Sequence, residues 1–472
     1  MIFLPVMLWS DLLIWLLVLA AIGLGVASSR NPPLRAAWRR VGQSRRGMAA
    51  ATVLAAFVAI GLSDSLHYRP HLAGEGAGQP VAYAVEVLSA LDAALTPLRT
   101  RLEKTYSEPL ATRSYAKEFI DARAADGSVH PVRDFPRLIS GGAHLGDDEA
   151  RRTGDIVRRV LVAEALAVLV FAGFAYGVVW LIARRGECAA RKAWRAVRRG
   201  ETGFAWNAVL AALGIMLLIA APLAALCVDY HVLGTDKVGQ DVFYQVLKSI
   251  RTALVLGLVT TLVTLPLAIG LGILAGYFRG WVDDAIQYLY TTLSSVPGVL
   301  LIAAAVLMMQ VIIDMHPQWF STAAERADLR LLALCLILGM TSWTGLCRLL
   351  RGETLKLREL EYVQAAQAFG VSDLSILRRH ILPNLMHIVI IALVMDFSGL
   401  VLAEAVLSYV GIGVDATMMS FGMMINNARM ELAREPMVWW SLAAAFTFMF
   451  VLVLAANLFA DALRDAFDPR MR

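Results

Sequence analysis

Three pairs of residues have types and spacings from which chemistry is commonly built. Asp236 and Asp241 bracket a glycine-bearing stretch, as the oxygen ligands of a hard cation do. His380 and His387 fall about two helical turns apart, a spacing that would suit metal or proton chemistry. Asp396 and Glu404 are carboxylates inside a long apolar run. The first pair lacks the further ligand positions of a calcium loop, and the second has no third ligand nearby. No GxxxxGK[ST], HExxH or GxSxG motif occurs, and Cys188, Cys227, Cys335 and Cys347 form no CxxC pair. Neither a catalytic nor a metal site is therefore expected, the chain is not read as an enzyme, and three of the cysteines read as small hydrophobes in apolar spans. The third pair is different. A carboxylate at the centre of a membrane helix costs about 2.5–3.5 kcal/mol on insertion scales, so each should face a bundle interior or a wet path. A buried structural hydrogen bond and a direct substrate contact are both open for the two.

The composition is that of a membrane protein. Of 472 residues, 58% are hydrophobic and 17% charged, with mean hydropathy +0.63; soluble domains carry roughly 45–50% apolar and about 25% charged residues. The net charge of +5 arises from basic residues clustered beside apolar runs, which reads as topology and not as a nucleic-acid footprint. Nine runs approach the roughly 20 residues needed to span a bilayer, near 3–28, 47–63, 157–182, 205–228, 251–277, 285–313, 329–347, 385–411 and 437–462. The first has no basic segment before it and is expected to be a retained span. Arg30, Arg35, Arg39, Arg40, Arg45 and Arg46 crowd the first connection, and Arg184 to Arg199 the third. Arg348, Arg351, Lys356, Arg358, Arg378 and Arg379 fall in the seventh, so these connections are expected to be cytoplasmic, with the N-terminus outside and the C-terminus inside.

The sequence divides near residue 204. Residues 1–204 hold about three spans, an external segment over 63–155 and a basic cytoplasmic loop over 183–204; residues 205–472 hold six spans. Within the external segment, Val85, Leu88, Leu91, Leu95, Leu98 and Leu102 recur at helical spacing and predict a small helical insertion or a pair of helices packed on the membrane mouth, with the Gly- and Pro-bearing "HYRPHLAGEGAGQP" at its edge.

Between the seventh and eighth spans stands a polar hairpin, part of a cytoplasmic segment over 352–383. Leu360, Val363, Ala366 and Phe369 step along one helical face, while Glu361, Gln364 and Gln367 keep other faces polar. Gly370 can take positive φ and end that helix. Ser372 is a plausible N-cap for a second short helix, and Asp373 suits its positive end. Leu374, Leu377 and Ile381 give the second helix an apolar stripe, and Pro383 falls where the next span begins. An amphipathic hairpin lying on lipid headgroups and a knob projecting to meet a partner both fit these residues.

Gln364, Ala365, Ala366, Gly370, His380, Leu382 and Pro383 resemble the EAA motif of binding-protein-dependent ABC importers, E-A-A, three residues, G, nine residues, I-x-L-P. Glutamine stands for the glutamate and histidine for the isoleucine, and "EYVQAA…G…RRHILPN" is close to the dipeptide, oligopeptide and nickel branch. "HVLGTDKVGQDVF", with His231, Gly234, Thr235, Asp236, Gly239 and Asp241, is similar to that branch's external signature HPLGTDxxGRDV. On the residues alone, Asp241 reads as the cap of a short helix whose Val242, Val246 and Ile250 face the membrane. "AGYFRGWVDD" from Ala275 resembles the branch's short cytoplasmic turn, "SSVPGVLL" from Ser294 the proline-bearing start of a core span, and "LAEAVLSYVGIG" from Leu402 its fifth core span. Gly272 and Gly276 have the GxxxG spacing of a close helix contact.

The resemblance covers about 205–472. It implies a six-helix importer permease core, and with the apolar runs and periodic segment before it the expected fold is an all-α polytopic membrane protein whose core is preceded by about three extra transmembrane helices and an external helical insertion. It further implies a permease subunit in a bacterial cytoplasmic (inner) membrane that forms half of a path for peptides or peptide-like solutes. The implied partners are a second related permease, two P-loop ATPases that carry ATP and magnesium, an external solute-binding protein and the lipid bilayer, with no nucleic acid; no cofactor is expected on this chain. Glu361 to Pro383 would couple to the ATPases, and Pro297, Asp396 and Glu404 are candidates for the translocation path. An ion-gradient-driven secondary transporter without ATPases is the alternative, although no inverted repeat is evident.

Overall fold

The computed structural model describes residues 3–30, 32–72, 82–123, 129–146, 148–186, 189–320 and 322–467; Cys188 and the Gly-rich edge of the external segment lie outside them. Its first helices are α1 (Trp9–Arg30), α2 (Pro32–Gln43), α3 (Arg45–Asp64), α4 (Ala90–Ala94), α5 (Thr96–Thr100), α6 (Arg152–Arg185), α7 (Ala190–Arg199) and α8 (Trp206–Leu226). Then follow α9 (Val242–Phe278), α10 (Gly280–Ser295), α11 (Gly298–Met315), α12 (Ala323–Arg358), α13 (Glu361–Ala368), α14 (Asp373–Ile376), α15 (Leu382–Tyr409), α16 (Phe421–Leu432) and α17 (Trp440–Phe467). Among the described residues nine are long and apolar enough to cross a membrane: α1, α3, α6, α8, α9, α11, α12, α15 and α17.

The chain forms two compact units. The first comprises Met1–Pro5, Gly42–Arg251 and Met419–Ala455. In it α3 and α6 both pack on α8, and α7 is held beneath them by Ala193 and Val197, which leaves Arg191, Lys192, Arg195, Arg198 and Arg199 exposed. The external segment departs from the expected helical insertion. Its helical periodicity yields only α4 and α5, because Pro97 opens a new first turn one residue after Thr96. Strands carry much of the rest. β1 (Phe3–Val6) lies beside β2 (His67–Leu72), and β2 pairs antiparallel with both β3 (Ala82–Tyr83) and β4 (Leu88–Ser89). β5 (Glu118–Arg123) and β6 (Val129–Asp134) form a separate hairpin in register from Glu118↔Asp134 to Arg123↔Val129. Leu88, Leu91 and Leu98 are buried, while Val85 and Leu102 of the same periodic series are exposed.

The second unit comprises Val6–Val41, Thr252–Met418 and Ala456–Arg472. Two expected spans change form. The run 285–313 is broken: Val296 is extended and Pro297 caps α11, since a proline disfavours helical backbone in the residue before it. The membrane helix there is α11 alone, and α10 is a separate helix that buries Asp283, Ile286 and Tyr290. The run expected from 251 begins instead at Val242, as one 37-residue helix continuous with the segment after Asp241. Val242, Val246 and Ile250, which belong to the first unit, are fully buried and do not face lipid. Their protein environment overrides a stripe that sequence alone assigns to the membrane.

Close helix approach shapes the core of this unit. A Cβ placed at Gly276 would lie 2.7 Å from the Arg351 carbonyl oxygen, and one at Gly272 2.9 Å from that of Cys347. α9 and α12 therefore meet backbone to backbone, as the GxxxG spacing allows. At the end of this crossing Tyr277, Leu350, Val363, Ile376, Ile381 and Leu385 form one buried cluster. Ile376 is wholly enclosed there. Ile376→Ala is expected to destabilise the joint by about 2–4 kcal/mol. Hydrogen exchange should show lost protection over residues 361–385 with α3 and α8 unchanged; unchanged protection of the hairpin would refute the packing described.

Candidate functional site

The hairpin after α12 is built from local rules. α12 ends at Arg358, Leu360 is extended, and α13 runs from Glu361 to Ala368. Gly370 has φ 74°, and the Val371 N–H reaches back to the Ala366 carbonyl at 3.1 Å while the Gly370 N–H reaches Gln367 at 2.9 Å. This is the glycine-terminated helix end in which a left-handed residue lets the chain reverse. Ser372 stands at the N-cap position of α14, but its side chain makes no capping bond. Asp373 instead accepts a hydrogen bond from the Tyr277 hydroxyl at 2.6 Å. A wide π turn over Leu377–Ile381 carries Arg378, Arg379 and His380, and Pro383 lies in the first turn of α15.

The two apolar stripes expected for the hairpin are redistributed. Val363 and Ile376 are buried, with Ala366 and Leu377 partly so, yet Phe369 is 87% and Leu374 77% exposed. The α13 stripe is turned so that only its middle packs, and α14 is too short at four residues to follow one face. The result is an apolar tip at Phe369 and Leu374, flanked by half-exposed Leu360, Tyr362 and Val371.

Polar ties hold the base of the knob, and sequence reasoning missed them. Tyr277 is their hub. Its hydroxyl donates to Asp373 and accepts from Gln367 Nε2 at 3.2 Å, and its carbonyl accepts from Arg358 at 2.6 Å. Arg351 grips Asp283 through two bonds of 2.6 and 2.7 Å, which fixes α10 to α12. Gln364 points toward Glu359, which is ion-paired with Arg279. Asn384 Nδ2 donates to the Tyr362 hydroxyl at 3.1 Å and to the His380 carbonyl at 2.6 Å. Tyr277, Arg279 and Asp283 all lie in "AGYFRGWVDD", so the signal was present as a motif without a stated contact.

The path candidates separate. Pro297 sits at the α10–α11 break. Glu404 is buried and accepts from the Ser408 hydroxyl one turn on, at 2.6 Å. Asp396 lines a cavity of about 780 Å³ and has no hydrogen-bond or ion-pair partner among the described residues. His387 lines that cavity and is not paired with His380.

In the first unit the external signature forms a lock. His231 Nδ1 lies 2.7 Å from Asp241 Oδ2, and its Nε2 lies 3.3 Å from Glu103 of the external segment. Asp241 Oδ1 also accepts the Phe243 and Tyr244 N–H groups, capping α9. Asp236 accepts the Val238 and Gln240 N–H groups and the Gln245 side chain. The carboxylate oxygens of Asp236 and Asp241 are thus engaged with backbone N–H groups and with the Gln245 and His231 side chains. Gly234 and Gly239 form left-handed turns, and Thr235 accepts the Ser107 N–H at 2.7 Å while its carbonyl accepts from Trp440. Glu103 accepts three N–H groups, from Ile139, Ser140 and Gly141. Burial disfavours charge on both groups, but their partners win: the bond to Asp241, then that to Glu103, pushes His231 up to about 9, and the His231 bond with three backbone N–H groups holds Glu103 below the usual carboxylate range.

Linkage gives the sign. The His231 contribution is fully present below its ordinary value of 6.5 and is lost as pH rises through about 9, and the Glu103 contribution is lost as pH falls below 4.5. Hydrogen-exchange protection of the amides over 231–242, corrected for intrinsic rate, should fall between pH 6.5 and 9. Glu103→Gln should move that loss to lower pH. Constant protection through this range would contradict the lock.

The chain is similar to known membrane transport proteins. Residues 268–472 match the family described as binding-protein-dependent transport system inner membrane component. The chain is 34% identical over 244 residues to the glutathione transport system permease protein GsiD of Pectobacterium atrosepticum, covering 51% of this chain and 73% of that one. It is 30% identical to the oligopeptide transport system permease protein OppC of Mycobacterium tuberculosis over 51% of this chain and 77% of that one. The dipeptide transport system permease protein DppC of Bacillus subtilis is 27% identical over 59% of this chain and 85% of its own length. A solved structure of the MetNI methionine ABC transporter in an inward-facing conformation aligns with TM-score 0.37 and 14% identity, over 48% of this chain and 97% of that one. With nine candidate membrane helices among the described residues and relatives such as GsiD and OppC, the chain belongs to the inner membrane permease family of binding-protein-dependent ABC importers.

Proposed function

We propose that this chain is one of two permeases in an ATP-driven importer of peptides or peptide-like solutes. The observation that carries the reading is the hairpin: a rigid base under Tyr277 and an exposed apolar tip at Phe369 and Leu374. A hairpin resting on headgroups has no need of so stiff an attachment, whereas a lever that transmits force does. The tip would seat on an ATPase subunit, with Glu361, Gln364, Ala365 and Ala366 on one arm and Ser372, Asp373, Leu377, His380, Leu382 and Pro383 on the other. ATP and magnesium belong to two P-loop ATPases. An external binding protein would deliver solute to the outer face, and the second permease would complete the path. The relatives named for glutathione, oligopeptide and dipeptide transport support a peptide cargo, since glutathione is itself a tripeptide.

In this reading residues 205–472 are the permease domain and residues 1–204 an extension, with the N-terminus outside and the C-terminus cytoplasmic. The arginine-rich connections support that orientation. ATP-driven closure of the ATPases would move the knob and open the permease interface outward, and hydrolysis would return it inward.

The test is affinity purification of the tagged chain in mild detergent. Wild type should bring down a second permease and P-loop ATPases in stoichiometric amounts. Gly370→Val forces a β-branched residue into positive φ, at a cost of about 1–2 kcal/mol, and should lose at least most of the ATPases while retaining the second permease. A mutant that retained its ATPases and transported normally would remove the coupling role from this hairpin.

A further inference from the structure

The basic segment between the membrane helices α6 and α8 carries more than a topology signal. Positive charge orients the neighbouring spans wherever in a short connection it lies. In the first unit it is gathered on one face of α7. At about 100° per residue, Arg191, Lys192, Arg195, Arg198 and Arg199 fall within an arc of about 120°. Ala193 and Val197 stand opposite that arc and are buried, while all five cations are exposed. Among the described residues only Arg199 of the five has a carboxylate partner, Glu201 at 3.8 Å, and both members of that pair are well exposed. A pair of that kind contributes little. The unit leaves this face as a block of uncompensated positive charge.

The depth of the face follows from its packing. Ala193 and Val197 belong to one buried cluster with Val179 of α6 and Leu210 of α8, against which Ile182, Ala183 and Trp206 pack. Val179 lies six residues before the end of α6 at Arg185, and Leu210 four residues after the start of α8 at Trp206. At ~1.5 Å per residue these are about 9 and 6 Å from the helix ends. The headgroup layer is itself about 5–7 Å deep on each side of the hydrocarbon core. α7 is therefore held against the last turns of two membrane helices, at the level of the lipid phosphates. Trp194 is exposed on the flank of α7, and the Arg184 guanidinium stands 5.2 Å over the ring of exposed Trp180. Both are aromatic side chains of the kind that marks a membrane surface.

Donors from two further membrane helices close one end of the face. Arg45, at the start of α3, donates to the Arg199 carbonyl at 3.1 Å. A Cβ at Gly200 would lie 3.0 Å from the same guanidinium nitrogen and 3.2 Å from Asn207 Nδ2 of α8. Asn207 Oδ1 accepts the Ala208 N–H at 2.9 Å, which leaves Nδ2 to donate.

We propose that the basic face of α7, closed by Arg45 and Asn207, binds the phosphates of anionic phospholipids. The charges are complementary, and a guanidinium can grip a phosphate through two N–H groups. The depth is that of the headgroups, whereas a nucleic acid or an acidic protein would be met in the aqueous phase. Only the membrane placement of α6 and α8 is required, so the binding is independent of the importer reading.

The test places the purified full chain, with whatever subunits accompany it, in nanodiscs of phosphatidylcholine doped with a photoactivatable lipid. The probe is either phosphatidylglycerol or phosphatidylcholine carrying the same reactive group, and cross-links over residues 190–207 are counted by mass spectrometry. In wild type the phosphatidylglycerol probe should label this segment at least fivefold more than the phosphatidylcholine probe. The combined variant Arg191→Gln, Lys192→Gln, Arg195→Gln, Arg198→Gln, Arg199→Gln should lose most of that preference. The milder pair Arg195→Gln, Arg198→Gln should lower it at least twofold, and Arg195→Lys, Arg198→Lys should keep most of it. Hydrogen exchange over α6 and α8 reports whether each variant keeps its fold. Equal labelling of wild type by the two probes would overturn the proposal without recourse to a variant, whatever other partner covers α7. A preference that survives unchanged in the milder pair, with α6 and α8 still protected, would also overturn it. Neither result bears on the capture of ATPases.

Discussion

A protruding hairpin can pass force into a membrane helix only if it is stiffer than the joint it pushes against. Here that stiffness comes from one desolvated joint. Val363, Ile376, Ile381 and Leu385 are buried together with Tyr277 and Leu350, so the hairpin shares a core with α9 and α12. Dense apolar packing resists deformation, and the Tyr277–Asp373 bond adds direction to it. The backbone contact at Gly272 and Gly276 lets α9 come close enough for Tyr277 to reach the hairpin at all. Remove the joint, and Phe369 and Leu374 would be an apolar tip on a slack loop.

The external signature is held by a different kind of constraint. Its His231 and Asp241 are taken out of water and bond each other, while Asp236 and Asp241 accept backbone N–H groups and Asp236 also accepts the Gln245 side chain. Such networks specify one geometry because any slip leaves a buried group unpaired. Glu103 ties the external segment into this network through His231 and three N–H groups. The segment that follows α3 is therefore part of the signature's own architecture within that unit.

Much of this was legible in the residues. The nine apolar runs each overlap one of the nine long apolar helices among the described residues, since bilayer thickness imposes a length that composition reveals directly. The turn at Gly370 was legible because positive φ is a property of single residues. What was not legible involves partners distant in sequence. Val246 and Ile250 looked lipid-facing because an apolar stripe does not say whether lipid or protein covers it, and Leu374 looked packed for the same reason. The strands of the external segment were hidden beneath a leucine periodicity that Pro97 interrupts. Tyr277 stood in a motif, but its bond to Asp373 spans 96 residues and leaves no local mark. Asp396 and Glu404 carried the same signal, a carboxylate among apolar neighbours, and only their surroundings separate a hydrogen-bonded residue from one that faces a cavity.

In the proposed importer the exposed tip of the hairpin touches an ATPase. That contact is tested most directly by placing single cysteines at Phe369 and Leu374 in a cysteine-free chain and treating membranes with a short bifunctional maleimide. The account predicts a cross-linked product containing this chain and a P-loop ATPase from both positions, with yields that change when a non-hydrolysable ATP analogue is added. Cross-links that never include an ATPase, with or without nucleotide, would contradict it.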